Sequence, residues 1–271
     1  MNPITRLLLT LVLLFQIHAL AAPGDVDPGF VPPANLITPS VALLPDGRII
    51  VGGTGRLFTD GTLDAAYSAS SDTDSSTAIQ FDGKVLLAVG TFTGQFILRL
   101  NTDDTLDTTF VAPAFDLNNS SNLYCTALQD DGRILIGGHF ATTNSYPPFS
   151  LPRSGLARLL PNGSVDPNFE GGGEVRCIAM QSDGKFVVAS VGTSQNFVTR
   201  LTPVGNLDPT LNLELTGNAH EVRSLVIQPD GKILVAGSFT ALGGTGRNGI
   251  ARINTSGALD PPFSGDASDR R

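Results

Sequence analysis

Short apolar runs alternate with polar, turn-rich segments along most of the chain. The runs are dominated by Val, Ile and Leu, which favour strands, and the 271 residues include 30 Gly and 18 Pro, which favour turns. Charged residues make up only 15% of the chain, fewer than helix-rich proteins carry. The pattern predicts an all-β protein with many short strands.

One block recurs five times and consists of a strand-like segment, an Asp-Gly pair, a basic residue and a second apolar run. Asp-Gly between two β-type runs is a strong hairpin signal, because type I′ turns need positive φ at both central residues. We therefore expect five hairpins of this type. The Asp-Gly pairs start at Asp46, Asp82, Asp131, Asp183 and Asp230.

A second block follows each of the first ones, and in it an Arg precedes an Asp by eight residues. This constant spacing predicts a second hairpin, across which the two side chains face each other as an exposed ion pair contributing about 0–1 kcal/mol. Five equal copies indicate a framework rather than an active site. The pairs are Arg56/Asp64, Arg99/Asp107, Arg158/Asp166, Arg200/Asp208 and Arg252/Asp260. We call the short segment around each of these Asp residues an Asp element. A sixth Asp element, with no Arg before it, lies at Gly24–Phe30.

The first strand of each repeat has a small face and a bulky face. Ala42 and its counterparts are small, whereas the next residue in each repeat, beginning with Leu43, is bulky. Such strands are buried on both sides, as where the bulky face of one propeller blade packs on the small face of the next. We expect a β-propeller of about five four-stranded repeats. An open or incomplete array is the alternative.

The motif as a whole resembles that of the delta-60 repeat family. The family motif is Gln-x-Asp-Gly-Lys-Ile-Leu-Val, followed by Ile-Ala-Arg and then Leu-Asp-x-x-Phe. Its best match in this chain is Gln228–Phe263, and Gln129–Phe169 matches nearly as well. The resemblance covers residues 24–263, although the first copy lacks the Phe and the fourth has Ser190 in place of Gly. It implies a bacterial exported propeller-like protein and no particular activity.

The N-terminus has the order of a secretory signal peptide. Arg6 precedes the apolar run Leu7–Phe15, and Ala19–Ala21 supplies an A-x-A cleavage site. We assign residues 1–22 to the signal and residues 23–271 to the repeat domain; the alternative is a buried N-terminal helix. The protein is then secreted, periplasmic or on the cell surface, with no membrane span after signal removal.

The net charge of −8, with no Lys- or Arg-rich run, argues against nucleic acid as a partner and against an electrostatic role at a membrane surface. An unknown protein or glycan is the expected partner. The two cysteines, Cys125 and Cys177, occupy the same strand position in adjacent repeats. Equivalent side chains do not converge, so we predict two buried free thiols and no disulfide between them.

No residue is assigned a catalytic, cofactor-binding or metal-binding role. His139 and His220 lack partners at zinc-ligand spacing, and the glycine-rich segment 244–249 joins two strands rather than opening a helix, so it is not a nucleotide motif. Four unrepeated carboxylates are candidates for an acid/base pair that the sequence cannot bring together. They are Glu170, Glu174, Glu214 and Glu221.

An insertion at His139–Gly155 breaks the repeat pattern and contains Tyr146, Phe149 and Arg153. Departures from a repeat often lie on the binding face, and aromatics with Arg are typical contact residues, so these three form a candidate partner-binding loop. The alternative is that the two aromatics pack on their own repeat.

A secreted binding or scaffold protein with an unknown ligand is the first functional hypothesis. The second is a polysaccharide-active enzyme with unrepeated carboxylates in the propeller channel, and the third is a structural fragment of a larger surface protein. Enzymatic activity is the less favoured reading because no catalytic cluster is recognisable.

Overall fold

In the computed structural model, the described residues form strands and turns and no helix. The all-β fold class is confirmed. The predicted signal peptide lies outside the described residues, and none of the described segments is a helix of the length and apolarity needed to cross a membrane. The described ranges are 27–33, 41–51, 55–65, 73–91, 94–113, 122–141, 154–192, 196–217 and 221–263.

Each repeat folds into one antiparallel sheet of three principal strands, and we number these sheets as blades 1 to 5. Blade 1 contains β1 (Val41–Leu43), β2 (Ile49–Val51) and β3 (Gly55–Leu57); blade 2 contains β4 (Thr73–Ile79), β5 (Val85–Thr91) and β6 (Gly94–Leu100); blade 3 contains β7 (Asn122–Leu128), β8 (Ile134–Ala141) and β9 (Ser154–Leu159).

Blade 4 is the largest sheet. It contains β10 (Glu174–Met180), β11 (Phe186–Val191), β12 (Asn196–Leu201) and β13 (Leu207–Thr216), and it is extended by a hairpin from the fifth repeat, β16 (Ala241–Leu242) and β17 (Thr245–Gly246). Blade 5 contains β14 (Glu221–Ile227), β15 (Ile233–Ser238) and β18 (Ile250–Ile253).

The Asp-Gly pairs lie in hairpins as predicted, but the expected turn type is wrong. The glycine has positive φ in each turn, 85° at Gly47 for example, whereas Asp46 and its counterparts do not. Gly47 donates to the carbonyl of Leu44, and Leu44 donates to the carbonyl of Arg48, which makes a three-residue loop with a glycine bulge. The Asp46 carboxylate accepts the Arg48 amide at 3.0 Å, which explains why Asp precedes Gly.

The predicted fourth strand is shorter than expected in four blades, where it is reduced to a single bridge such as Leu100↔Leu106. The cause is the turn that follows. Phe110 donates to the carbonyl of Asp107, and the Asp107 carboxylate accepts the Thr109 amide at 3.0 Å, so the chain leaves the sheet at once. In blade 4 the equivalent segment continues as β13.

Adjacent blades pack a small face on a bulky face, as the sequence predicted. Cys125 and Ala127 of blade 3 share a hydrophobic cluster with Ile178 and Met180 of blade 4. The same arrangement recurs at the other three junctions, where the residues that share a cluster are Ala42 and Ile79, Ala78 and Leu128, and Cys177 and Ile227. Four equivalent apolar junctions therefore hold the five blades in a row.

The first strands of the blades, β1, β4, β7, β10 and β14, contact one another in that order and form the inner row of the array. In the described ranges no comparable contact joins blade 1 to blade 5. The propeller-like array is open in this structure, which was the alternative left by the sequence.

The five Arg–Asp pairs form across the second hairpin, but the expectation that they are exposed is wrong. Arg158 and Asp166 are almost fully buried, and the Nε–Oδ2 distance is 2.8 Å. They are buried because the next blade covers them. The corresponding distances are 3.0 Å for Arg56/Asp64, 2.9 Å for Arg99/Asp107, 3.1 Å for Arg200/Asp208 and 2.8 Å for Arg252/Asp260.

The arginines of blades 1 to 4 also reach the following blade. Arg99 Nη1 donates to the carbonyl of Pro161 at 2.7 Å, and Arg158 and Arg200 donate in the same way to the carbonyls of Pro203 and Thr255. In the first junction, Arg56 Nη1 contacts the carboxylate of Asp104 at 2.6 Å instead. One guanidinium thus joins its own hairpin to the second hairpin of the next blade.

In blades 2 to 5 the basic residue after Asp-Gly contacts the same buried carboxylates. Lys84 Nζ lies 2.8 Å from Asp107 Oδ2, and Lys185 Nζ lies 2.8 Å from Asp208 Oδ2. These lysines, together with hydroxyl and amide donors, hold the pKa of both carboxyls well below its usual range. The repeated Lys or Arg therefore completes the neutralisation of the Asp.

The Asp elements bind the next blade through a backbone hydrogen bond. Val111 donates to the carbonyl of Asn162 at 2.9 Å, and Glu170 donates to the carbonyl of Val204 at 2.9 Å. The N-terminal copy behaves in the same way, because Val31 donates to the carbonyl of Asp60 at 2.8 Å. This copy is therefore bound to blade 1 as if a preceding blade had supplied it.

Substitution Arg158→Met tests the buried pairs. It removes the nearer ion partner of the buried Asp166 carboxylate and leaves only Arg133 Nε at 3.5 Å, so we expect the free energy of unfolding to fall by about 3 kcal/mol. Urea denaturation followed by circular dichroism measures the change. Arg48→Met is the matched control, because Arg48 pairs with Asp46 at the surface, and we expect a loss below about 1 kcal/mol. Equal losses in the two variants would contradict the assignment.

Candidate functional site

The three residues of the predicted partner-binding loop, Tyr146, Phe149 and Arg153, lie outside the described residues. Their role stays a prediction. The described residues contain a different unrepeated constellation, on the inner strands of blades 3, 4 and 5.

Each of these inner strands carries a β-bulge at the same position. In blade 4, Val175 pairs with Ser190 and Cys177 pairs with Ala189, so Arg176 is the extra residue. The extra residue is Tyr124 in blade 3 and Arg223 in blade 5. Bulges re-aim side chains and are common beside functional sites. We call Tyr124, Arg176 and Arg223 the bulge row.

Arg176 is the centre of this row. Its guanidinium carbon lies 4.1 Å from the centroid of the Tyr124 ring, a cation–π contact. Its terminal nitrogens lie 3.6 Å from Glu174 Oε1 and 3.8 Å from Glu221 Oε1, ion pairs that are too long for hydrogen bonds. The buried Nε has no hydrogen-bond partner among the described residues. Several Arg176 donors are therefore not used by the fold.

The groups beside Arg176 are polar and accessible. Arg223 is 70% exposed along its side chain and lies 3.6 Å from Glu221 Oε2. His139 is also exposed, and its Nδ1 lies 2.8 Å from Glu174 Oε2. Partial burial raises the pKa of Tyr124, so the ring keeps its hydroxyl proton at neutral pH.

This arrangement alternates hydrogen-bond donors with acceptors along the inner strands. Two guanidinium groups alternate with two carboxylates, and an aromatic ring lies at one end. Such a surface is suited to a ligand that both donates and accepts hydrogen bonds. In the described ranges no group of three or more His, Cys, Asp and Glu side chains is arranged to hold a metal ion.

This row was not predicted from the sequence, although a signal for it was present. The position seven residues before each Asp-Gly pair is occupied by Ser75, Tyr124, Arg176 and Arg223 in repeats 2 to 5. The next position always holds a small Ser or Cys, whereas this one changes its residue class from repeat to repeat. Of the four unrepeated carboxylates, the structure brings Glu174 and Glu221 to opposite sides of Arg176.

The two cysteines lie at separate blade junctions. Cys125 packs with the side chains of blade 4, and Cys177 Sγ lies 3.7 Å from the carbonyl of Val222 in blade 5. Both are free thiols in this structure. Burial raises the pKa of Cys177 to about 11 and raises that of Cys125 further.

Comparison with protein families finds four matches to one family model. The model is described as a domain of unknown function (DUF5122) beta-propeller, and it matches residues 80–110, 129–169, 181–211 and 228–263. A WD domain, G-beta repeat, matches residues 210–242. No curated protein matches the chain by sequence.

Several solved structures are similar to this chain at low sequence identity. A protein of unknown function from Bacteroides caccae has 16% identity and a TM-score of 0.50, and the alignment covers 84% of this chain and 81% of that one. At this identity the likeness shows the fold alone. A gluconolactonase from Xanthomonas campestris has 12% identity and a TM-score of 0.49, with coverage of 79% and 71%.

Alkylation without a reductant tests the state of the two cysteines. Because the thiolate is the reactive form, we expect both native thiols to react slowly with iodoacetamide at pH 7, and at the full rate once the chain is unfolded in urea. Mass spectrometry of the digested protein measures both results. A peptide pair linked through Cys125 and Cys177 would contradict the prediction that no disulfide joins them.

Proposed function

Because the chain belongs to the DUF5122 beta-propeller family, we propose that it is an exported binding protein whose ligand contacts the bulge row. The proposal of export depends on the signal-like order of residues 1–22, from Arg6 through Leu7–Phe15 to Ala19–Ala21. The proposed ligand is a hydroxyl-rich glycan.

The observation that supports a binding role is the contrast between the framework and the bulge row. The framework repeats, with the same ion pair in all five blades and the same apolar packing at all four blade junctions. The bulge row has the same backbone in blades 3, 4 and 5 but different side chains. Polar side chains that do not serve the fold are candidates for ligand contact.

The choice of a glycan follows from the chemistry of the row. Vicinal hydroxyl groups of a sugar donate and accept hydrogen bonds at adjacent positions, and Glu174 and Glu221 place carboxylate acceptors next to the guanidinium donors of the row. Arg176 makes no hydrogen bond to the described residues, so its terminal nitrogens are free to bond a ligand oxygen. The two arginines of the row and these two glutamates together leave the surface without a strong net charge, which favours a neutral ligand over an anionic one.

A second candidate is a polysaccharide-active enzyme that uses the same surface. His139 and Glu174 form a hydrogen-bonded pair, and Glu221 lies on the other side of Arg176. These side chains are able to exchange protons with a bound sugar. This candidate differs from the first in one result, which is whether the bound glycan is cleaved.

A glycan array with the purified protein tests the proposal. We expect retention of a subset of neutral glycans, and titration calorimetry with a retained glycan to show at least a tenfold weaker affinity for Arg176→Ala/Arg223→Ala. A tenfold loss corresponds to about 1.4 kcal/mol. The physical reason is that the double variant removes the donors of the row.

The control is Arg48→Ala, which removes an arginine that pairs with Asp46 at an Asp-Gly turn. This control should bind like the unmodified protein. Retention of no glycan, or an equal loss in the double variant and the control, would contradict the proposal. Cleavage of the bound glycan that Glu174→Gln abolishes would show that the enzyme is the right candidate.

A further inference from the structure

Blade 1 leaves its bulky face uncovered. Val41 and Leu43 of β1 are 63% and 67% exposed. The counterparts of Leu43 in the later blades are each packed against a preceding blade, and these are Ile79, Leu128, Met180 and Ile227. The bulky apolar face is therefore packed against a neighbouring blade in blades 2 to 5 and exposed in blade 1.

Blade 5 leaves the complementary small face uncovered. Ser224 is exposed, and Val226 is 51% exposed. The counterparts of Val226 in blades 1 to 3 pack against a following blade, and these are Ala42, Ala78 and Ala127. The two uncovered faces are thus the two halves of one junction type that the chain already forms four times.

The polar groups that complete such a junction are also found separately at the two ends of the row of blades, the arginine on blade 5 and an Asp element on blade 1. Arg252 pairs with Asp260, but its side chain keeps 24% exposure, and it makes no contact to a following hairpin among the described residues. Asp27 folds into the same turn as the other Asp elements, with its carboxylate accepting the Gly29 amide at 2.8 Å. In the described residues it has no arginine partner.

We propose that a second copy of this chain binds here, with blade 5 of one copy packed on blade 1 of the other. In this junction the small face of Ser224 and Val226 covers Val41 and Leu43. Arg252 takes the position that Arg200 has toward Thr255, and its Nη1 donates to the carbonyl of Thr59 in the second hairpin of blade 1.

The junction has room for one Asp element. Val31 already donates to the carbonyl of Asp60, which is the bond that an incoming Asp element would make. Arg252 of one copy therefore pairs with Asp27 of the other and releases its own Asp260. One carboxylate replaces another, and the newly buried apolar area offsets the loss of the ion pair between Lys232 and Asp260 and of the backbone hydrogen bond from Asp260 to Arg252.

Such a contact is heterologous, because it joins two different surfaces. It leaves a free blade 1 on one copy and a free blade 5 on the other, so the assembly grows with concentration into a ring or a short filament. The occupant is a second copy because, within the part of the chain that the structure describes, no junction like the other four joins the first and last blades of one chain.

Mixed cross-linking tests the proposal. Leu43→Cys and Val226→Cys are prepared as separate proteins, mixed, and treated with a short bismaleimide; a heterodimer linked through these two residues is the expected product. Phe81→Cys replaces Leu43→Cys in the control mixture, because Phe81 is 84% exposed but lies at an Asp-Gly turn. The native thiols are partly buried and their pKa values are raised, so both mixtures share the same low background.

Three results are distinguishable. A heterodimer in the first mixture only, with a scattering mass that rises with concentration and falls to that of one chain in Val226→Asp, supports the proposal. Cross-linking only within a single chain that carries both cysteines would overturn it in favour of ring closure. Equal cross-linking in the control mixture, or none in either, would overturn it as well.

Discussion

The structure depends on a buried arginine that is shared between blades. Each arginine pairs with an Asp eight residues later in its own hairpin, and four of the five also donate to the second hairpin of the next blade. Because a buried charge without a partner is costly, both sets of bonds must form together. The ion pair therefore specifies the hairpin register and the position of the next blade at once, while the small-on-bulky apolar contacts supply most of the stabilisation.

Much of this framework could be predicted from the sequence because its motif recurs in five repeats. The spacing of the Asp-Gly pairs gave the hairpins, and the alternation beginning at Ala42 and Leu43 gave the two packing faces. The turn type and the burial of the ion pairs were predicted wrongly. Turn type depends on the φ of the Asp, which the Asp-Gly pair alone does not specify. The first four pairs are covered by the next blade, and the groups that their arginines reach there lie 45–62 residues further along the chain.

The candidate site was not predicted because its signal is a departure from a repeat rather than a motif. A bulge places Tyr124, Arg176 and Arg223 in equivalent positions on neighbouring inner strands, and sequence spacing does not show that residues some 50 positions apart lie side by side. The repeats that make the fold predictable also allow framework residues to be distinguished from candidate ligand-binding residues. Residues that serve the blades recur, and residues that do not recur are free to contact a ligand.

Hydrogen exchange in Arg99→Met is the most direct test of the shared arginine. Arg99 belongs to blade 2, and its Nη1 bonds the carbonyl of Pro161 in blade 3. Loss of that bond should increase amide exchange in the blade 3 turn at residues 160–164 as well as in blade 2, whereas Arg48→Met should change neither. Faster exchange confined to blade 2 would contradict the account, because the arginine would then stabilise only its own hairpin.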